Sequence, residues 1–424
     1  MKKVLPDIFL AVICLKIGLA QLLWAPRILT IEDAIYFEGA PAGPNIIWAQ
    51  ILTVLALAIS VYLFLLIKNA YTRLDRVRKY LILSWIGFIF SQIFSDILHG
   101  VSINPERLTP LFIPFIALAY LQSNRNALNS MSMLLGGILF GGLLVAVIDP
   151  NWSFMADHRN EFVFSADRYI GLLSHPNQIG ALAALTIIIS MRKRLDVLLV
   201  AGAAVLSLTL SQSKTSIGAL LISVLYATVV WNYFSVVTKQ MTIQFILAVF
   251  YISWLLMLSI GLGASGDETL TLTGRTQIWA ESLEIWKSQP LFGGGSSAFD
   301  VEFRQLFELT GATSAHNQFL QALAIGGLVT VGVMTFFLYY LYKALVVSGE
   351  SGIYHTAGIT MLVFVLIRGI SEPSLTVSGI GIPYLCTFII FLGALDFGSK
   401  KLKSKFNMGK NEFQTQTIPT HGKS

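Results

Sequence analysis

The chain has 424 residues, 55% of them hydrophobic and only 12% charged, with a mean hydropathy of +0.70. A soluble domain carries about 25% charged residues, so this composition excludes a soluble globular protein and points to an integral membrane protein with many spans. The net charge of +6 is accounted for by how basic residues are placed around those spans, and nothing further supports nucleic-acid binding.

In chain order, about twelve apolar runs reach the length of roughly 20 residues that a bilayer core demands. They lie near 6–24, 46–68, 80–99, 108–123, 127–149, 171–191, 195–211, 216–237, 241–262, 317–343, 355–371 and 378–397. The first is not followed by a small-residue cleavage site, so it reads as a retained span rather than a signal peptide. The fourth is short and holds Pro110 and Pro114. Cys14 and Cys386 both fall in apolar runs and form neither a disulfide framework nor a metal set. The fold class expected is an all-α polytopic helical bundle with an external loop that carries a surface amphipathic helix. Three regions follow: N-terminal spans over 1–165, a second membrane region over 166–397, and a basic, disordered tail over 398–424.

Basic residues set the orientation. With a cytoplasmic N-terminus, 19 of the 29 lysines and arginines fall on that side and nine on the other, with Lys16 inside the first span. The positive-inside rule then makes both termini cytoplasmic. It also places 25–45, 100–107, 150–170, 212–215, 263–316 and 372–377 outside. No internal repeat is evident, which weakens an inverted-repeat transporter.

The outer segments hold the residues with chemical potential. Arg168 leads an apolar run broken by His175-Pro176-Asn177. Pro176 pushes the preceding residues out of regular helix, and broken backbone at membrane depth is tolerated only against protein or water. The stretch 168–177 therefore reads as a cavity wall. His175 fits a second base or, more simply, a structural histidine in a helix break. Lys214 sits in a polar hairpin, Ser211-Gln212-Ser213-Lys214-Thr215.

Arg275 opens an amphipathic segment in which Trp279, Leu283 and Trp286 recur on one helical face. Its planar fork suits a phosphate; snorkelling to headgroups is the plainer alternative. Pro290 and Gly293-Gly294-Gly295 end that segment. Three glycines are weak evidence of a phosphate cradle without a strand before and a helix after. His316 opens the next apolar helix, where the dipole disfavours imidazolium and a neutral ring can act as a base; a histidine merely capping that helix is the alternative. Arg368 and Glu372 are four apart and fit a local ion pair or a functional one. Several cations around one histidine, with no metal-ligand set, suit an anionic leaving group.

These residues resemble the O-antigen ligase and polymerase superfamily of bacterial polysaccharide assembly. The shared elements are Arg275 before Trp279, then Pro290-Leu291-Phe292-Gly293, then His316-Asn317, nine residues through Gly326, Gly327, Leu328-Val329 and Thr330. Upstream, Arg168, Gly171 and His175-Pro176-Asn177 match a further element. The likeness spans roughly residues 165–375.

The resemblance implies a metal-independent, inverting glycosyltransferase without a cofactor, at the outer face of the bacterial inner membrane. Its donor would be a glycan on undecaprenyl diphosphate, with membrane lipid and other polysaccharide-assembly proteins as further partners. His316 and Arg275 would be catalytic, while Arg168, Lys214, Arg368, Asn317, His175 and Glu372 would bind the diphosphate or substrate. The wording around Ser213 and Arg275 leans toward an exopolysaccharide polymerase, whose acceptor is another lipid-linked repeat. A ligase acting on lipid A–core or pilin is the near alternative. A lipid-linked oligosaccharide flippase is the rival of another class, but it gives no reason for the loop from Arg275 to His316.

Overall fold

The computed structural model describes residues 4–22, 45–123, 126–160, 166–173, 175–191, 198–263, 275–299, 314–347, 352–375 and 379–396. The tail from 398, and residues 264–274 and 300–313 of the loop expected to be external, lie outside the described residues. Lipid offers the backbone no hydrogen bonds, so apolar runs of this length close their bonds internally as helices. Among the described residues five helices are long and apolar enough to cross a membrane: Arg76–Leu98 (α3), Ala127–Ile148 (α5), Lys214–Tyr233 (which begins with α8, Lys214–Leu225), Val236–Met257 (within α9, Val236–Gly263) and Gln318–Val347 (which begins with α11, Gln318–Tyr342).

Shorter apolar helices include α6 (Pro176–Ser190), α7 (Leu198–Ser211), α12 (Ile353–Gly369) and α13 (Ile382–Leu395). The remaining helices of the bundle are α1 (Leu5–Leu22), α2 (Asn45–Leu66) and α4 (Ile113–Ser123), the last preceded by a 3₁₀ segment at Pro105–Phe112. The helix α10 (Arg275–Ser288) stands apart as the amphipathic one.

Two expectations need correcting. The sixth apolar run does not start its helix at 171: α6 begins at Pro176, whose ring suits the first helical position, with His175 as the cap. The residues before it join a small antiparallel hairpin, β1 (Phe154–Asn160) and β2 (Ala166–Tyr169), with Phe154 opposite Tyr169 and Met155 opposite Arg168. The all-α reading thus holds for the bundle but misses this hairpin. Its strands carry Asp, His, Arg and Asn with no apolar alternation, so period-2 patterning is absent.

Buried aromatic rings knit the bundle together. Trp85 of α3 packs against Phe337 of α11 at 5.1 Å between centroids and Phe391 of α13 at 5.7 Å. Its indole N–H, which needs a partner once buried, donates to the Pro110 carbonyl at 2.8 Å.

The second feature that positions the site is a break in α11. Gly327 has φ +63° and ψ −162°, a backbone region that only glycine enters readily. The break frees polar backbone groups, each costly in an apolar setting, and the turn after α10 takes them up. Gly294 and Gly295 donate to the carbonyls of Ala324 (2.8 Å) and Ile325 (2.9 Å). Leu328 and Val329 donate in return to the carbonyls of Pro290 (3.0 Å) and Leu291 (3.1 Å). A Cβ on Gly293 would stand 2.6 Å from the Ala324 oxygen. On the far side Asp96 of α3, held by Arg107, accepts from the Ser296 amide at 2.6 Å. The glycine turn is therefore a backbone clasp on a broken helix.

Candidate active site

Helix termini deliver the site to one end of the bundle. The N-terminal ends of α6, α8, α10 and α11, the C-terminal ends of α7 and α12, and strand β2 contribute to it. At its centre is Glu372, in the segment after α12, buried to 7% relative exposure. One carboxylate oxygen accepts from Asn177 Nδ2 at 2.9 Å and from Arg275 Nη2 at 3.3 Å. Both oxygens stand 3.3 Å from His316 Nδ1. Burial alone would raise the pKa of this carboxyl; the His316 hydrogen bond and the charges of His316, Arg368 and Arg275 outweigh it and lower the value to about 2. Glu372 is thus an anion at any working pH and can only accept. In its neutral form His316 then carries its hydrogen on Nδ1, facing that carboxylate, which leaves Nε2 as the nitrogen able to take a proton.

Asn177, in the first turn of α6, is the second hub. Its side-chain oxygen accepts from Arg168 Nη2 at 3.1 Å and from the Ser213 hydroxyl at 3.3 Å. His175 turns its Nδ1 back to accept the Asn177 amide at 3.1 Å, so it caps α6 and orients Asn177. Arg168 also donates from Nε to the Ser211 carbonyl at 3.1 Å. Burial lowers the pKa of its guanidinium, opposed by the Glu372 charge.

The structure brings Arg168, Arg275, His316, Arg368, Glu372 and His175 into one network. Arg368 does not form the simple i,i+4 pair with Glu372 that the spacing suggests. Its hydrogen bonds run to the Ser374 hydroxyl at 2.9 Å and the Asn177 carbonyl at 3.4 Å. The reason is that α12 ends at Gly369, so Glu372 turns away toward α10 and α11. Asn317 is fully buried; its oxygen caps α11 by accepting from Phe319 (2.9 Å) and Leu320 (3.0 Å), and its amide donates to the Ile370 carbonyl at 3.0 Å. Lys214 is exposed at the first turn of α8, beside Ser213. Three guanidinium groups around one carboxylate leave the site with excess positive charge.

Backbone strain marks the same place. Among the described residues two non-glycines have positive φ, Gln212 at +50° and His316 at +47°, and both are here. Such residues persist only where the surroundings hold them. His316 is held through the residue before it: the Ala315 carbonyl accepts from Trp279 Nε1 at 3.0 Å, and the Ala315 amide donates to Gln321 at 2.7 Å. Through Trp279 and Leu283, α10 buries its apolar face against α11 rather than lying free on the membrane.

Sequence reasoning gave no role to Asn177, Ser213, Gln212 and Glu281. The Pro176 break was the signal for Asn177. Glu281, buried in α10, has its pKa raised to about 7 by burial, with a hydrogen bond from Gln277 opposing; nothing in the sequence separates it from the exposed Glu284. Among the described residues no three His, Cys, Asp or Glu side chains gather as metal ligands.

Residues 179–337 match a family model described as O-antigen ligase. The matched stretch includes Ser213, Arg275, the clasp, His316 and Asn317, and lies between Asn177 and Glu372, which complete the network from outside it. No curated protein matches the chain. The second half of the motif has a structural reading: Gly327 is the break in α11, and the Thr330 hydroxyl bonds to Ser91 of α3 at 2.7 Å. With its apolar helices the chain is a multi-pass membrane protein, and the match over residues 179–337 supports the O-antigen ligase and polymerase superfamily.

Proposed function

We propose that the protein transfers a glycan from a lipid diphosphate, of the undecaprenyl type, to an acceptor hydroxyl at the outer face of the inner membrane, with both termini cytoplasmic. The observation that carries this reading is the contact of His316 Nδ1 with both Glu372 oxygens, set among three arginines. Nε2 takes the acceptor proton as that oxygen forms its bond to the anomeric carbon. The bond from that carbon to the diphosphate breaks, and its electron pair leaves with the diphosphate. Attack from the face opposite the leaving group inverts the anomeric centre. Arg275 and Arg168 would meet the growing charge on the diphosphate, where a positioned donor acts on the transition state.

Asn317 and His175 hold helix ends in this scheme rather than substrate, and Arg368 and Asn177 fix the frame around Glu372. Because a diphosphate leaves without strong acid assistance, a metal ion is unnecessary to the chemistry. We favour a polymerase, in which the acceptor is a second lipid-linked repeat. The other reading is a ligase that moves finished glycan to a lipid or protein acceptor, and the family match does not distinguish the two.

The deciding experiment uses purified protein in lipid nanodiscs with a defined lipid-diphosphate glycan. Longer lipid-linked products without added acceptor support the polymerase. Product only on an added lipid A–core or pilin acceptor identifies the ligase. Donor movement between leaflets with no new glycosidic bond overturns both in favour of a flippase.

A further inference from the structure

A cavity of about 230 Å³ lies at the other end of the helices that build the site. Helices α6, α8 and α12 each reach both places. They carry Asn177, Ser213 and Arg368 at the site, and Met191, Asn232 and Ile353 at or just beyond their far ends. The start of α5, with Asn126, Leu128 and Asn129, closes the remaining wall. The mouth is polar and exposed at Asn126, Thr228 and Asn232; the floor is buried and apolar at Leu128, Ile188, Ile189 and Ala357, with the hydroxyls of Thr356 and Thr360 set into it.

The hydrogen-bond inventory of this wall is lopsided. Thr228, Thr356 and Thr360 each donate their hydroxyl hydrogen to the carbonyl four residues back, at 2.8, 3.1 and 2.8 Å. Asn232 donates its amide to the carbonyls of Ala227 (3.2 Å) and Thr228 (3.0 Å). Both carbonyls belong to a π-turn, Tyr226–Val230, that widens the last turns of the helix begun by α8. Such turns recur at functional sites. Each of these groups is left with acceptor lone pairs. Asn129 Oδ1 is a buried acceptor with no hydrogen-bond partner among the described residues, a state that costs free energy until a donor arrives.

The described lining therefore offers mostly acceptors, with the side-chain amides of Asn126 and Asn129 as donors, and it contains neither a cation nor a carboxylate to meet a charged headgroup. It calls for a ligand rich in O–H donors. A water molecule occupies about 30 Å³ of liquid, so the space suits a small polyol and falls short of the roughly 300–1,000 Å³ of drug-sized pockets. Its place at the helix ends sets it at headgroup level, and the exposed apolar side chains of Met191 and Ile353 at the rim would meet acyl chains. We propose that this cavity binds the hydroxyl-bearing headgroup, glycerol or sugar, of a membrane lipid. The proposal does not rest on glycan transfer at the other end.

Native mass spectrometry of the full-length protein tests it, with three lipids of matched acyl chains: monoglucosyl-diacylglycerol, phosphatidylglycerol and phosphatidylethanolamine. One retained copy of the glucosyl or the glycerol lipid, held in preference to the ethanolamine lipid, is the expected result. Whichever of the two is retained identifies the sugar or the phosphoglycerol source. Asn129→Leu and the near-isosteric Thr360→Val should each weaken that retention about two- to tenfold, the worth of one hydrogen bond. The Thr360 variant keeps the test open if the other fails to fold. Equal retention of all three lipids, or retention unchanged in a folded variant, overturns the proposal.

Discussion

Glu372 reaches His316 Nδ1 at 3.3 Å through both carboxylate oxygens, although the two residues are 56 positions apart and belong to different helix ends. An ionised carboxylate on that nitrogen dictates the tautomer and fixes the ring plane. Glu372→Gln keeps the shape but lets the amide donate, so the tautomer is no longer imposed. Glycan transfer should fall at least about 100-fold with normal insertion, by the logic of a base whose orienting carboxylate is lost. Wild-type turnover in a reconstituted assay of that variant would remove Glu372 from the mechanism.

The same carboxylate ties the site's integrity to acid. Its pKa is about 2 in the folded protein against an ordinary value of 4.5, so its stabilising contribution is complete above pH 4.5 and is lost as pH falls toward 2. A shift of that size corresponds to something on the order of 3 kcal/mol. Wild-type protein should lose stability steeply across that window, and Glu372→Gln should show a flatter acid limb, read by thermal unfolding in detergent.

His316→Ala should abolish product, since removing a general base costs about 10²–10⁴-fold. Binding of the lipid-diphosphate donor should survive, because the arginines remain. EDTA should leave wild-type activity unchanged. Product at wild-type rates from the alanine variant, or recovery that depends on an added divalent ion, would sink the mechanism.

Arg275→Ala is expected to be nearly inactive, the loss of a donor to developing charge costing about 2–4 kcal/mol of barrier. Lysine should rescue partially, because it restores the charge but not the planar fork that also engages Glu372. Arg168→Lys should fare similarly, since both its Nε and Nη2 donors are engaged. Initial rates at matched protein level decide the matter, and full rescue by lysine would reduce these residues to simple charge.

Glu281 supplies a pH dependence of opposite sign. Its folded pKa, about 7, lies above the ordinary 4.5, so the penalty for burying it is absent in acid and appears as pH rises through 7. Glu281→Gln should therefore stabilise the protein at pH 8 and do little at pH 5. Hydrogen exchange over α10 would show it, and equal protection of the two proteins at pH 8 would refute it.

Expensive charges were legible in the sequence. Arg168, Arg275, Arg368 and Glu372 stand at ends of apolar runs, where an ionisable group needs a reason, and His316 opens a helix. Partner choice was not legible. The spacing of Arg368 and Glu372 implies a pair only if the helix continues, and α12 stops at Gly369. Asn177 was named in the helix break but given no role, because a neutral amide leaves little mark on hydropathy, yet it links two arginines to Glu372. The clasp was invisible for a different reason: it is made of backbone bonds between Pro290–Gly295 and Ala324–Val329, and no side chain announces it. Even so, both partners had shown themselves as glycines. Gly327→Ala should be poorly tolerated, because φ +63° with ψ −162° is a region essentially reserved for glycine and a Cβ would overlap the Leu291 carbonyl.

The clasp also separates two jobs along the stretch between α10 and α11. The described chain is anchored at Ser296, whose amide is held by Asp96, and again at Ala315, held by Trp279 and Gln321. The entropy of closing a loop between fixed ends grows only with the logarithm of its length, about 0.6 kcal/mol per doubling. Insertions between Phe299 and Ser314 would then leave the distance from Arg275 to His316 unchanged. A lineage could lengthen the sequence between those two anchors while the residues they hold stay where they are.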